Sequence, residues 1–175
     1  NGVSITPVPV EKKNYTFVSS YTHAVIFGER PVLIGERLNP TGKKRFKEAL
    51  RAGDMDYILK EGITQEEKGV DLLDVNVGLP EIDEVEMLTR SVCELQAITA
   101  LPLQIDTSDP VAMEKALRRY NGKAMINSVS GKKESLDAIL PLVKKYGGLL
   151  VALTLDENGI PEKAEQRLEI ARRIL

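Results

Sequence analysis

Acid and amide side chains follow three short apolar runs of this chain, at the point where each run ends. They are Asp74, Asn76, Asp106 and Asn127. Turn or helix-start residues follow each run, which predicts buried strands whose last residues point into a site. The clearest run is Leu103–Asp106, because Asp109 and Pro110 behind it are typical N-cap and first-helical residues.

Carboxylates and primary amides gathered in one place suit a flat heterocycle that carries adjacent N–H donors and a carbonyl. A carboxylate accepts two parallel hydrogen bonds, and an amide both donates and accepts. A pterin ring fits that description. The alternative is that these residues cap the next helices or satisfy loop backbone, as Asp and Asn often do. Three strand ends in a row favour a shared site.

Other chemistries have less support in the sequence. The same carboxylates could hold Mg²⁺, but amides dilute the set and histidine is missing from it, so we expect no metal. Ser128 and Ser130 have no histidine partner at a plausible spacing for nucleophilic catalysis, and His23 falls in a predicted surface turn. The single cysteine, Cys93, excludes an internal disulfide and a zinc site of several thiolates; we expect it to be buried.

The composition of the chain restricts its expected cellular compartment and the classes of partner it could bind. The net charge of −2 gives no electrostatic reason to expect nucleic acid. No apolar run is long enough for a membrane span, and a single cysteine is natural in a reducing cytoplasm. We therefore expect a cytoplasmic protein that binds a small molecule or another protein.

Five strand–helix units in strict alternation must position the polar side chains. The predicted strands are 32–34, 70–77, 103–106, 124–128 and 149–155, and the predicted helices are 43–69 with a break near Gly53, 82–98, 110–120, one ending at Gly147, and one from 161 or 162 to the end. The last helix is expected to bury Ala164, Leu168, Ala171 and Leu175.

Nearly continuous apolar strands that alternate with helices predict an α/β fold with a parallel sheet. An open sheet would favour a Gly-rich phosphate loop, yet 35–42 has the spacing of neither a dinucleotide fingerprint nor a P-loop. Polar residues instead follow strand after strand, with Glu36 and Asn39 after the first, which is typical of a (β/α) TIM-type barrel.

A complete barrel takes about 250 residues, so the 175 residues here predict an incomplete one, about five of eight units, over 32–175. Residues 1–31 are interpreted as an inter-domain linker with a short β-ribbon, 17–20 pairing with 24–27. The start at Asn1 rather than Met suggests a piece of a longer protein.

Four motifs in order resemble a known family. Residues 35–39 with Thr41 and Gly42, 74–76, 105–108 and 126–128 are similar to the folate-binding modules of cobalamin-dependent methionine synthases, with corrinoid iron-sulfur protein methyltransferases as close relatives. The resemblance runs from about Val32 onward. Residues 1–31 resemble the joint that follows the homocysteine-binding module in that family.

The resemblance implies a pterin-binding barrel that transfers the methyl group of methyltetrahydrofolate to cob(I)alamin, for methionine synthesis from homocysteine. Asp106 would hold the pterin edge and Asn127 would lie near the methylated nitrogen, and both are the expected catalytic residues. The other implied folate contacts are Asp74, Asn76, Glu36 and Asn39. Cobalamin would be carried by another module or a corrinoid protein, whereas zinc and homocysteine belong to the neighbouring module.

Two other readings stay open. Dihydropteroate synthases share the third-strand Asp and the fourth-strand Asn, but in that family Asp follows the Asn, where this chain has Ser128. Their Arg-Pro loop after the second strand is replaced here by 79–82, Leu-Pro-Glu-Ile. A non-catalytic scaffold for a corrinoid protein is the third reading, and it predicts partner binding without pterin binding.

Overall fold

A parallel sheet of five strands, covered by helices, dominates the computed structural model, which describes residues 14–175. The strands are β1 (Phe17–Ser19), β2 (Ala24–Ile26), β3 (Ile34–Leu38), β4 (Leu72–Val75), β5 (Leu103–Asp106), β6 (Met125–Ser130) and β7 (Leu149–Leu153). The helices are α1 (Lys44–Ala52), α2 (Met55–Glu67), α3 (Glu84–Ile98), α4 (Pro110–Arg119), α5 (Lys133–Tyr146) and α6 (Ala164–Ile174). The predicted linker residues 1–13 lie outside the described residues.

The sheet order is β3-β4-β5-β6-β7, so each strand pairs in parallel with the next one along the chain. The prediction of an α/β fold with an incomplete TIM-type barrel is confirmed: β3 to β7 supply five of the eight strands that such a barrel contains. In this order the carboxyl ends of all five strands meet along one rim, where the polar residues lie.

Alternate residues of the strands face two different environments, as the pleat requires. One set packs against the helices in the main core: Leu73, Val75, Leu103, Ile105 and Ile126. The other set faces the barrel interior, where an apolar layer forms near the amino ends of the strands: Ile34, Leu72, Met125 and Leu149. The polar residues continue this second set toward the carboxyl ends.

The β1–β2 ribbon forms the floor under that apolar layer. The strands pair antiparallel, and Val18 and Val25 are buried against Leu72. Tyr120 ties the ribbon to the sheet, since its hydroxyl donates to the Ser19 carbonyl oxygen over 2.8 Å. The ribbon therefore packs as part of the barrel, while the predicted division at residues 31 and 32 stays a prediction.

The first sheet strand differs from the prediction. It begins at Ile34, and Leu33, which was expected inside the strand, is 57% exposed. Gly35 and Glu36, expected in a loop, continue the strand. Gly35 is accommodated because it faces α2, where an added Cβ would lie only 2.6 Å from Oε1 of Gln65. Glu36 is accommodated because it points into the polar mouth of the barrel.

Two other expectations about burial are wrong. Helix α6 buries Ile170 and Ile174, whereas none of the four expected residues is buried: Leu168 is 51% exposed, Ala164 and Leu175 are exposed, and Ala171 is half-buried. Ile170 packs close to Gly131, in the β6–α5 loop, where an added Cβ would lie 2.5 Å from Cγ2 of Ile170. Cys93 is exposed because it lies beside the buried stripe of α3 rather than in it. Among the described helices, none has the length and apolar character needed to cross a membrane.

Candidate functional site

A polar layer lies directly above the apolar layer of the barrel interior. Its side chains line a cavity of about 220 Å³ together with Ile34: Glu36, Asp74, Gln104, Asp106 and Asn127. Strand register places Asp74 beside Gln104 and Asp106 beside Asn127. Four of the six residues predicted from the sequence thus meet at one cavity.

Asp106 is oriented by the neighbouring strand end. Nδ2 of Asn76 donates a hydrogen bond to Oδ2 of Asp106 over 3.0 Å. The Asn76 amide is itself fixed, because its oxygen accepts from the Gly78 N–H over 2.9 Å. Asn76 therefore supports the cavity wall from behind instead of lining it, which refines the role expected from the sequence.

The carboxyl of Asp106 lies in an unfavourable environment for negative charge. Burial raises the pKa of Asp106 above its ordinary value, and the negative charges of Glu36 and Glu84 raise it further, whereas the hydrogen bond from Asn76 opposes both. A ligand that donates two N–H hydrogen bonds to the carboxylate would stabilise its charged form. The site is therefore electrostatically suited to a neutral ligand that offers hydrogen-bond donors.

Asp74 lies deeper than Asp106 and is only 2% exposed. Burial raises the pKa of Asp74 to about 6; hydrogen bonds from Gln104 and Asn39 oppose this shift, and the charges of Asp106 and Glu36 add to it. The Gln104 contact is short, with Nε2 at 2.5 Å from Oδ1 of Asp74. Asp74 is thus a buried carboxyl whose pKa, at about 6, lies above its ordinary value.

Asn39 is buried at the start of the β3–α1 loop. Its side-chain oxygen accepts from the Thr41 N–H over 3.0 Å, which closes an Asx turn. Asn39 also opposes the rise in the pKa of Asp74, so its side chain lies beside the polar layer. Asn39 therefore shapes the loop and the floor of the site, and it lies behind the residues that line the cavity.

Sequence reasoning missed Gln104 and the Thr107–Glu84 contact. Gln104 precedes Asp106 by two residues, so the period of a strand places both on the same face; this signal was available in the sequence. The Thr107 hydroxyl donates to a carboxylate oxygen of Glu84, at the first residue of α3, and accepts from the Asp109 N–H. That contact joins two distant segments and has no local sequence signal.

A second cavity, of about 340 Å³, adjoins the first. The two share Asp106 and Asn127. The second cavity extends outward between the starts of α4 and α5 and the end of β7. A larger cavity, of about 510 Å³, lies beside Asp156 and Arg173, where none of the acid and amide residues of the polar layer is present. Within residues 14–175, no group of three or more His, Cys, Asp or Glu side chains is arranged to hold a metal ion.

Comparison with protein families and curated proteins supports a pterin site. The family model of pterin binding enzymes matches residues 35–174. A methionine synthase of Mycobacterium leprae is 30% identical over 178 residues, covering 96% of this chain and 15% of the relative. A methionine synthase of Mycobacterium tuberculosis is 32% identical over 165 residues, covering 90% of this chain and 14% of the relative. The chain thus spans about one seventh of the length of these relatives.

Solved structures give the same fold. A dihydropteroate synthase of Xanthomonas albilineans, in complex with indole-2-carboxylic acid and 6-chloroguanine, matches with a TM-score of 0.51 and 26% identity over 73% of this chain and 47% of that one. The 7,8-dihydropteroate synthase of Vibrio fischeri matches with a TM-score of 0.54 over 78% of this chain and 48% of that one; at 18% identity it shows the fold alone. With the family match spanning the barrel from β3 to α6, the chain belongs to the pterin-binding enzyme family.

Proposed function

We propose that this chain is the folate-binding part of a methyltransferase that transfers the methyl group of methyltetrahydrofolate to cob(I)alamin, within a protein that makes methionine from homocysteine. One observation carries the proposal. Asp106 and Asn127 stand side by side at the rim of a barrel whose sequence is 30% and 32% identical to proteins named methionine synthase.

Asp106 is the proposed anchor of the pterin ring. The amino group and the adjacent ring N–H of a pterin donate in parallel, and a carboxylate accepts both bonds. Asn76 holds Asp106 in place, so little orientation has to be fixed on binding. Glu36 and Asp74 line the same cavity and are proposed to contact the ring, with Asn39 shaping the floor below.

Asn127 is the proposed residue at the reacting nitrogen. In the transfer, the bond between this nitrogen and the methyl carbon breaks as the carbon bonds to the reduced cobalt; the nitrogen keeps the electron pair and takes a proton. An amine is a poor leaving group, so a hydrogen bond to the nitrogen lowers the barrier. The Asn127 side chain lines the cavity beside Asp106 and can donate such a bond without being an acid.

The remaining partners follow from the same proposal. Cobalamin would be carried by another module of the parent protein or by a corrinoid protein, and zinc and homocysteine would belong to a neighbouring module. The length of the methionine synthase relatives, about seven times the matched region, supports a multi-module parent. The cytoplasmic location expected from the sequence stays a prediction.

A dihydropteroate synthase is the second candidate function, favoured by the match to the Xanthomonas albilineans structure. Two sequence features favour the methyltransferase instead. Ser128 follows Asn127, where the synthase pattern has Asp, and Leu79–Ile82 stands in place of the Arg-Pro loop.

The test is a methyl-transfer assay with the full-length protein under anaerobic conditions, in which the absorbance of cob(I)alamin is followed after methyltetrahydrofolate is added. We expect turnover in the wild type and a loss of about 10²-fold in Asn127→Ala, the typical effect of removing one donor at a developing charge. Asn121→Ala is the matched control, because Asn121 is exposed in the turn after α4. No transfer by the wild type, with incorporation of para-aminobenzoate into a pterin product, would establish the synthase instead.

A further inference from the structure

Strand β3 contains a bulge beside the cavity that the polar layer lines. Between two paired positions, β4 advances by two residues, from Leu73 to Val75, while β3 advances by three, from Gly35 to Leu38. One residue of β3 is therefore extra and is left out of the pairing, and such a bulge re-aims the side chains around it. The bulge decides which way the residues between Gly35 and Leu38 point.

The extra residue allows β3 to serve both the site and the core. Ile34 faces the barrel interior, and Glu36, two residues further along, lines the same cavity. In a regular strand Leu38 would face that way as well, because alternate residues share a face. Leu38 instead packs in the main core on the helix side and is fully buried. The bulge thus lets Glu36 point into the site while Leu38 fills the core.

A buried side chain of α2, Gln65, holds the bulge. The backbone N–H of Arg37 donates to Oε1 of Gln65 over 2.8 Å, so a helix side chain supplies the acceptor for this N–H. Gln65 is 3% exposed, and its amide nitrogen donates to the Glu61 carbonyl oxygen over 3.3 Å, which fixes its orientation. The missing side chain of Gly35 leaves room for the amide, as described above. One buried glutamine therefore fastens the bulge of β3 to α2.

We propose that Gln65 is a positioning residue of the folate site: it holds the β3 bulge and thereby fixes Glu36 where its carboxylate meets the pterin ring. This inference rests on the proposed function, in which Glu36 contacts the ring. Gln65 does not line the cavity, so it acts on the ligand only through Glu36. A carboxylate that is already in place loses less conformational freedom when the folate binds, which raises the affinity.

The test measures the affinity of the full-length protein for 5-methyltetrahydrofolate by titration calorimetry, with and without the Glu36 side chain. Gln65→Met keeps the length of the side chain but offers the Arg37 N–H no strong acceptor. It should weaken binding about fivefold, the typical effect of one hydrogen bond. In the Glu36→Ala background the same change should weaken binding less than about twofold, because the side chain that Gln65 positions is gone. A purely structural role of Gln65 would give the same loss in both backgrounds.

Three further variants complete the comparison. Gln65→Glu keeps an acceptor oxygen and should bind within about twofold of the wild type. Gly35→Ala forces its new Cβ against Oε1 of Gln65, so it breaks the same bond by a second route and should show the same dependence on Glu36. Gln96→Met is the matched control and should bind as the wild type does. Gln96 is also a helix glutamine whose Oε1 accepts a distant backbone N–H, that of Asn121 over 2.6 Å, but it lies outside both site cavities.

Two results would overturn the inference alone. One is wild-type affinity in both Gln65→Met and Gly35→Ala. The other is an equal loss with and without the Glu36 side chain, because Gln65 would then act through the fold as a whole. A wild type that fails to bind methyltetrahydrofolate would overturn the proposed function together with the inference, so the two failures are distinguishable.

Discussion

The amide of Asn76 holds the carboxylate of Asp106 from the neighbouring strand, with Nδ2 donating to Oδ2 over 3.0 Å. Both residues lie at strand ends, and the Gly78 N–H fixes the other end of the same amide. This bond favours the charged form of Asp106 against burial and against the nearby charges of Glu36 and Glu84. One side chain thus orients the Asp106 carboxyl and opposes the rise in its pKa.

Replacing Asn76 should make folate binding more sensitive to pH. Without the donated bond the pKa of Asp106 rises further, so Asp106 takes up a proton more readily as the pH falls, and a protonated carboxyl cannot accept both pterin donors. We expect Asn76→Ala to weaken methyltetrahydrofolate binding about tenfold, with a larger loss at the lower of two pH values. Titration calorimetry at pH 6 and pH 8 measures, for each protein, the ratio of its folate affinities at the two pH values, with Asn121→Ala as the control. An equal affinity ratio in Asn76→Ala and in the wild type would contradict the role of Asn76 in opposing the protonation of Asp106.

Asp74 should give the protein a stability that falls as pH rises. Its pKa is raised to about 6 in the folded state, so between about pH 4 and pH 6 the folded protein binds more protons than the unfolded chain. The contribution is fully present below about pH 4 and is lost as pH passes through 6, amounting to roughly 1–3 kcal/mol. Denaturant unfolding across this range measures it.

Asp74→Asn is the variant for that measurement, because an amide cannot ionise. The decline in the free energy of unfolding between about pH 4 and pH 7 should be smaller in the variant than in the wild type. Asp71 provides a contrast, since Arg30 and the Leu33 N–H lower its pKa to about 2. Its contribution is lost only below about pH 4, outside this window. An unchanged slope in Asp74→Asn would show that Asp74 is not the titrating group.

Tyr120 should be needed to hold the ribbon floor in place. Its hydroxyl accepts from the Leu103 N–H over 3.0 Å and donates to the Ser19 carbonyl oxygen, and the residue is 9% exposed. Tyr120→Phe leaves a buried N–H without a partner, which costs about 1–3 kcal/mol. Denaturant unfolding should show this loss, and Tyr21→Phe, at an exposed tyrosine of the ribbon turn, should change stability by less than about 0.5 kcal/mol. Equal effects would refute the role of the hydroxyl.

The strand–helix alternation was predictable because local signals mark it. Asp109 caps α4 as expected, with its side chain accepting from the Val111 N–H, and the helix begins at Pro110. The break near Gly53 also lies where it was predicted, between α1 and α2. Such features depend on residues close in sequence, so pattern reasoning captures them.

What the sequence missed depends on contacts between distant residues. The charged Glu36 within β3 is stable because the barrel mouth around it is polar, which no local pattern reveals. Helix α6 places Ile170 close to Gly131, on a different loop, whereas Leu168 of the expected apolar stripe is exposed. Two of the six predicted site residues, Asn76 and Asn39, support the site from behind. Their supporting roles follow from their hydrogen-bond partners in the structure, which the sequence does not reveal.

The most direct test of the pterin site is the affinity of the full-length protein for 5-methyltetrahydrofolate with Asp106→Asn. Asparagine has nearly the same shape as aspartate, and its oxygen can still accept the hydrogen bond from Asn76. Its NH₂ group then faces the pterin donors, and a donor cannot accept their hydrogen bonds. Asp109→Asn is the matched control, because asparagine also caps a helix and Asp109 lies three residues away outside both site cavities.

Titration calorimetry should show binding at least about 10-fold and up to about 100-fold weaker in Asp106→Asn, the cost of losing hydrogen bonds to a charged acceptor. Asp109→Asn should bind as the wild type does. Wild-type affinity in Asp106→Asn would contradict the assignment of Asp106 as the anchor of the pterin ring.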